Sequence, residues 1–210
     1  MANTQLVGVD SWVAVIDWLK DFIDRVEDDY DIAFIDTNPS FSMYTQIALS
    51  TAERLILPVM ADDSSRRAIQ NVFSLIYGLT LPSPIYAQYA FAEKLKKANR
   101  KLPQIHLVLK NQITQYMGSA SAYSTVLQAI DKDINNLFKA QPELFNFDNL
   151  REGIADIRDF QTAGVVAYAR GCPFYTLASG KLDLLDKRVQ VNEDRRLLCA
   201  SDIDKIVKKL

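Results

Sequence analysis

At 210 residues, 49% of them hydrophobic and 24% charged, the chain has the composition of a soluble globular protein with material for one ordinary core. A formal charge of −2 gives nucleic acid no global attraction, two cysteines (Cys172 and Cys199) are too few for a disulfide framework, and the single His106 excludes a multi-histidine metal site. No apolar run approaches the roughly 20 residues that span a bilayer, and the start Met-Ala-Asn-Thr-Gln-Leu-Val-Gly lacks signal-peptide character, so a reduced, cytoplasmic setting is expected.

In chain order, residues 11–27 predict an amphipathic helix. Trp12, Val15, Ile16, Leu19, Phe22, Ile23 and Val26 share one face, and Asp17, Lys20, Asp21 and Asp24 the other. The short apolar run 31–36 predicts a buried parallel strand ending in Asp36, followed by the loop Thr37-Asn38-Pro39-Ser40. A helix over about 43–53 leads to a second strand, 54–60, whose Pro58 belongs near its carboxyl end. Asp62, Asp63 and Ser64 offer caps for a helix over 65–79. Pro82 and Pro84 mark a break before a helix over about 85–99 with a basic end, Lys94, Lys96, Lys97, Arg100 and Lys101.

The third strand, 104–110, contains His106 in an apolar run, which reads as a packed histidine. Gly118 and nearby serines open a long helix over about 120–140, and a short strand is read near 154–157. Asp159 caps a helix that Gly171 terminates. An edge strand is read at 174–177 and a charged closing helix at 190–210. Strands alternating with helices predict a single α/β domain over 1–210, with a mostly parallel sheet and helices on both faces.

Ligands in such sheets bind beyond the carboxyl ends of the strands, which directs attention to Asp36. A carboxylate there can hold a water on Mg²⁺, and equally can cap its own turn. The residues Tyr30 to Ser40, then Tyr44-Thr45-Gln46-Ile47-Ala48-Leu49, then Leu55 to Val59 resemble the ParA/MinD family of deviant-Walker partition ATPases. In that family a strand ends in Asp-x-x-Pro-Ser, a helix carries an Ala-Leu pair and the next strand reads Ile-x-Pro-Val. Ala169 and Gly171-Cys172-Pro173 resemble its later Ala…Gly-x-Pro. Residues 82–103 and 141–153 match it poorly.

The resemblance implies a P-loop NTPase-like fold, ATP and Mg²⁺ as ligands, a homodimer, non-specific DNA binding and a ParB-like stimulating partner. Asp36 would be the Walker B aspartate and Thr37, Asn38, Pro39 and Ser40 the switch loop, although Asn38 replaces the family's usual proline. Asn111 would lie near the base, unless it is a plain turn former. Arg66 and Arg67 would approach the second subunit, and Lys187, Arg188, Arg195 and Arg196 would meet DNA. Solvated, internally neutralised helix surfaces account for the same arginines and lysines, since residues 181–210 hold eight basic against six acidic residues.

One half of the family's site has no counterpart. A phosphate loop needs glycines for close backbone approach and a lysine for charge, yet the chain has only seven glycines and one Gly-Lys pair, Gly180-Lys181, in the wrong context. The expectation is an incomplete P-loop fold, without the phosphate-loop strand, that does not hydrolyse ATP alone. The alternative is a non-catalytic dimerisation or regulatory module. A small-molecule enzyme using Asp36 is a third reading, weakened by the absence of a convergent base or nucleophile.

Overall fold

The computed structural model describes residues 11–210 except 39, 82, 88 and 114–121, and at 84 the backbone alone. Pro39, Pro82 and Gly118 therefore lie outside the described residues. The fold is α/β, and the chain divides into two compact units interleaved in sequence. The first gathers residues up to Leu55, Arg67–His106 and Ala140–Asn146; the second gathers Ile56–Arg66, Leu107–Lys139 and Phe147–Leu210.

Three strands, β1 (Arg54–Val59), β2 (Gln104–Ile113) and β3 (Ile154–Arg158), form a sheet in the order β1-β2-β3. β2 and β3 run parallel, with Val108 opposite Ile154 and Leu109 opposite Ala155. The register shifts between Lys110 and Ile113, where Gln112 takes a left-handed φ of 58°. β2 thus runs three residues beyond the predicted strand and places Asn111 in an irregular stretch rather than after the strand. His106 is half-buried with its Nδ1 3.3 Å from Asn146 Oδ1, as a packed histidine should be.

In the first unit the predicted helix 11–27 is two short helices, α1 (Ser11–Ile16) and α2 (Trp18–Ile23), followed by a 3₁₀ turn at Glu27–Asp29. They pack on α3 (Met43–Thr51), and Ser50 Oγ donates to the Ile16 carbonyl at 2.9 Å. Trp12 and Phe41 both meet the Phe91 ring edge-on, at 6.3 and 5.7 Å. Arg100 donates through Nε and Nη2 to Asp17 at 3.0 and 2.5 Å. The predicted helix 85–99 is broken into α5 (Pro84–Ala87) and α6 (Phe91–Lys97), because Ala90 takes an extended ψ of 148°.

The predicted strand 31–36 is not formed. Residues 32–38 carry no regular secondary structure, and Tyr30, Ile32 and Phe34 are 70%, 58% and 70% exposed. A strand apolar on both faces is stable only between neighbours, and no strand pairs with this stretch among the described residues.

In the second unit, α4 (Asp63–Asn71) begins in that unit and continues through a single π turn, Val72–Ile76, in the first. Its cap is Asp62, whose Oδ1 accepts from the Ser65 N–H at 2.7 Å, while Ser65 Oγ accepts from the Met60 N–H at 2.9 Å. The long helix α7 (Ala122–Ala140) buries Ile130, Ile134 and Leu137. A short α8 (Leu150–Gly153) precedes β3. α9 (Gln161–Arg170) ends at Gly171, φ 59°, with Cys172 N–H donating to the Ala167 carbonyl, as the glycine predicted.

Residues 174–177 are not the predicted edge strand. The Pro173 carbonyl accepts from both Thr176 and Leu177 N–H at 3.1 Å, which closes a turn and buries Leu177. The strands lie further on, as the antiparallel hairpin β4 (Gly180–Leu184) and β5 (Lys187–Val191). Ala163, Val166, Ala167, Leu177 and Val191 form the core beneath it. The closing helix, α10 (Glu193–Val207), starts only after the hairpin and packs Ile206 against Leu107 and Ile157.

Candidate functional site

The loop after Phe34 is held by one side chain. Asn38 Oδ1 accepts from Ser40 N–H at 3.2 Å, Ser40 Oγ at 2.7 Å and Thr45 Oγ1 at 3.2 Å. The bond to the N–H two residues on is an Asx-turn, which asparagine forms readily. Thr45, in the first turn of α3, also donates to the Ser40 carbonyl at 2.5 Å, so the loop is tied to the helix that follows it. Asn38 therefore anchors its own loop, a role that the Asn-x-Ser pattern signals in the sequence.

With Asn38 engaged, the Asp36 carboxylate and Thr37 hydroxyl are left exposed at an open cavity of about 640 Å³. Its wall is mostly apolar, built by Val15, Trp18 and Leu19 of the first two helices, Ile35, and Tyr44 and Ile47 of α3. That volume lies within the range of small-molecule sites. Asp36, Thr37 and Asn38 are thus brought to one surface. Ser40 reaches it only through its bond to Asn38, and Pro39 lies outside the described residues.

Among the described residues the lining offers the Asp36 carboxylate, three hydroxyls (Thr37, Tyr44 and Thr45) and the Asn38 amide but no lysine, arginine or glycine. This donor set suits a metal-bound water, through Asp36, and lacks the cations and close backbone approach that a triphosphate requires. Gly180-Lys181 opens β4, where both residues pair with β5, so it forms no loop leading into a helix. Among the described residues no three His, Cys, Asp or Glu side chains cluster as a metal site.

The other predicted positions are placed as follows. Asn111 belongs to the second unit, and its Oδ1 accepts from the adjacent Gln112 N–H at 2.8 Å, the behaviour of a turn-forming asparagine. Arg66 reaches Asp133 of α7 at 3.4 Å, and Arg67 follows it on α4. Lys187 and Arg188 stand exposed on β5, with Arg188 3.1 Å from Asp183 across the hairpin. Arg195 is exposed on the first turn of α10. Arg196, only 14% exposed, donates to the Phe174 carbonyl at 3.0 Å and to Glu193 at 2.7 Å, so it braces the turn at 173–177 against α10.

No helix among the described residues is long and apolar enough to cross a membrane. No curated protein and no solved structure matches the chain. Residues 2–81 match the family model described as an AAA domain, a stretch of 80 residues that contains the Asp36 loop, the cavity and β1. For that part of the chain the match supports a coarse relation to the P-loop NTPases of the ParA/MinD type.

Proposed function

We propose that the chain carries the Mg²⁺-side and switch half of a ParA-like partition or positioning ATPase, of the kind that segregates plasmids or chromosomes. The observation that carries this reading is the placement of Asp36 and Thr37 at the mouth of one cavity, on a loop anchored by Asn38, within the residues that match an AAA domain. In this reading Asp36 supports Mg²⁺ through a water and Thr37 to Ser40 respond to the nucleotide. Glycines and a lysine supplied from outside these 210 residues complete the phosphate side. The complete site would bind ATP in a homodimer that associates with DNA and a ParB-like partner. A second reading, a non-catalytic dimerisation or regulatory module, draws on the exposed apolar stretch 30–35, which offers an interaction edge without any nucleotide.

Calorimetric titration of the chain with ATP and Mg²⁺ tests the proposal. No tight binding is expected from these residues alone. Fusing a glycine-rich, lysine-containing phosphate-loop segment ahead of residue 1 should create Mg²⁺-dependent binding that Asp36→Ala abolishes. Sub-micromolar affinity of the unfused chain would overturn the half-site reading. Fused protein that folds, yet gains no affinity, would favour the module.

A further inference from the structure

The basic residues of the chain are unevenly placed. Residues 93–101 hold Lys94, Lys96, Lys97, Arg100 and Lys101 against Glu93 alone, a net charge of +4 that leaves the remainder of the chain at −6. These residues are α6 and the turn after it, in a segment that the ParA/MinD resemblance leaves uncovered.

Lysines in the last turn of a helix often serve the helix itself, by neutralising its terminal carbonyls. Here the backbone already does so. Asn99 takes a left-handed φ of 52°, its N–H donates to the Lys96 carbonyl at 3.1 Å, and the Arg100 N–H reaches back to the Leu95 carbonyl at 2.9 Å. Two of the five cations are also committed: Lys94 lies 5.5 Å over the Trp12 ring, and Arg100 is paired with Asp17. Those two contacts pin α6 down and leave Lys96, Lys97 and Lys101 exposed, in no ion pair among the described residues.

Just ahead of α6, Tyr86 and Tyr89 are both exposed, joined by a turn in which the Tyr89 N–H donates to the Tyr86 carbonyl at 3.1 Å. The next turn runs into α6, since the Lys94 N–H donates to the Ala90 carbonyl at 3.1 Å. Two open aromatic rings followed by three exposed ammonium groups, all in the first unit, combine the two contacts that an unpaired nucleic-acid strand makes: bases stack on rings, and phosphates pair with cations.

We propose that the 86–101 segment is a single-stranded nucleic-acid binding surface, with Tyr86 and Tyr89 as stacking platforms and Lys96, Lys97 and Lys101 as phosphate contacts. Tyrosine rings also sit at the headgroup level of membranes, so an acidic lipid surface is the competing occupant that the test must separate, whereas duplex DNA keeps its bases stacked away from the rings. The surface is separate from the Asp36 cavity and does not depend on the ATPase reading.

Fluorescence anisotropy of the whole chain with a labelled 20-nucleotide oligothymidine, a duplex of equal length and phosphatidylserine vesicles tests the assignment. Salt-dependent binding of the single strand, at least tenfold tighter than the duplex, is expected. Lys96→Gln/Lys97→Gln/Lys101→Gln should flatten the slope of log K against log salt by about 2, at roughly 0.7 per lost phosphate contact. The triple arginine variant should restore it. Tyr86→Ala/Tyr89→Ala, with circular dichroism unchanged, should weaken binding tenfold or more and leave the slope alone. No binding of the single strand, a lysine-dependent preference for vesicles, or equal affinity for duplex with the tyrosine variant unaffected would each overturn it.

Discussion

Asp202 stands in the middle of α10, only 5% exposed, and accepts from Arg158 Nε at 2.5 Å, Arg158 Nη2 at 3.1 Å, the Arg158 N–H at 3.3 Å and Lys205 Nζ at 3.3 Å. Burial pushes its carboxyl up, but the Arg158 and Lys205 hydrogen bonds outweigh this and hold it below the ordinary carboxylate range. One carboxylate thus fastens α10 to the end of β3. Asp202→Asn leaves Arg158 without its charge partner. Because Arg158 keeps some solvent access, the cost expected is about 2–3 kcal/mol, below the full figure for a buried pair. That corresponds to a melting temperature lower by about 5–10 °C. The sign of the pH dependence follows from the depressed value. The stabilisation is complete above the unfolded carboxyl's pKa near 3.9 and is lost as pH falls through the lower folded value. The melting gap between wild type and Asp202→Asn should therefore be constant from pH 5 to 8 and close below pH 4. A gap that persists unchanged into acid would show that shape, not charge, is what Asp202 contributes.

The β4-β5 hairpin shows what an element can hide from its own sequence. Leu184 pairs with Lys187, so the loop is Leu185-Asp186, and Leu185 takes a φ of +53° while 96% exposed. Two-residue hairpin loops favour glycine or asparagine at such a position, and a leucine there costs about 1–2 kcal/mol with no packing to offset it. Leu185→Gly should recover part of that, about 0.5–1 kcal/mol after the glycine's own entropy, and raise the melting temperature by about 2 °C. A lower melting temperature would mean that the tip is not strained. Without Asn-Gly or Asp-Gly, the turn carried no signal, and the alternation of Val189 and Val191 was absorbed into the charged run after it. Where local chemistry and packing agree, elements were legible: β1 from its apolar run, α4 from its Asp62 cap, α9 from Gly171. The 31–36 stretch reads as a strand for a sound local reason, its apolar run, but pairing is a property of the neighbour. The placement of Asp36 and Thr37 side by side at one cavity follows from their adjacency in the chain, whereas the engagement of Arg196 with Phe174 depends on a turn that Pro173 makes and periodicity does not reveal.

At the scale of the whole chain, β1 on one side and the stretch leading into Asp36 on both lack a strand neighbour among the described residues. β1 is the last strand in the order β1-β2-β3, and the stretch leading into Asp36 is extended enough to present Tyr30, Ile32 and Phe34 to solvent. None of the backbone groups of residues 31–37 enters a hydrogen bond among the described residues. In the interior of a domain such groups would each need a partner, whereas the exposure of this stretch leaves them open to water. β2 is the opposite case: it lies between two strands, and Leu107 and Val108 are fully buried. Hydrogen exchange followed by mass spectrometry should therefore separate them sharply, with 31–37 exchanging at close to the rate of an unstructured peptide and 105–109 exchanging last. Slow exchange at 31–37 in the isolated chain would mean that the stretch is already paired, by a second copy if protection rises with concentration. If the phosphate side of the site arrives on a strand of its own, the fused protein used to test ATP binding should protect 31–37 before any nucleotide is added. The Asp36→Ala variant should keep that protection while losing nucleotide affinity, because pairing engages the backbone and Mg²⁺ engages the carboxylate.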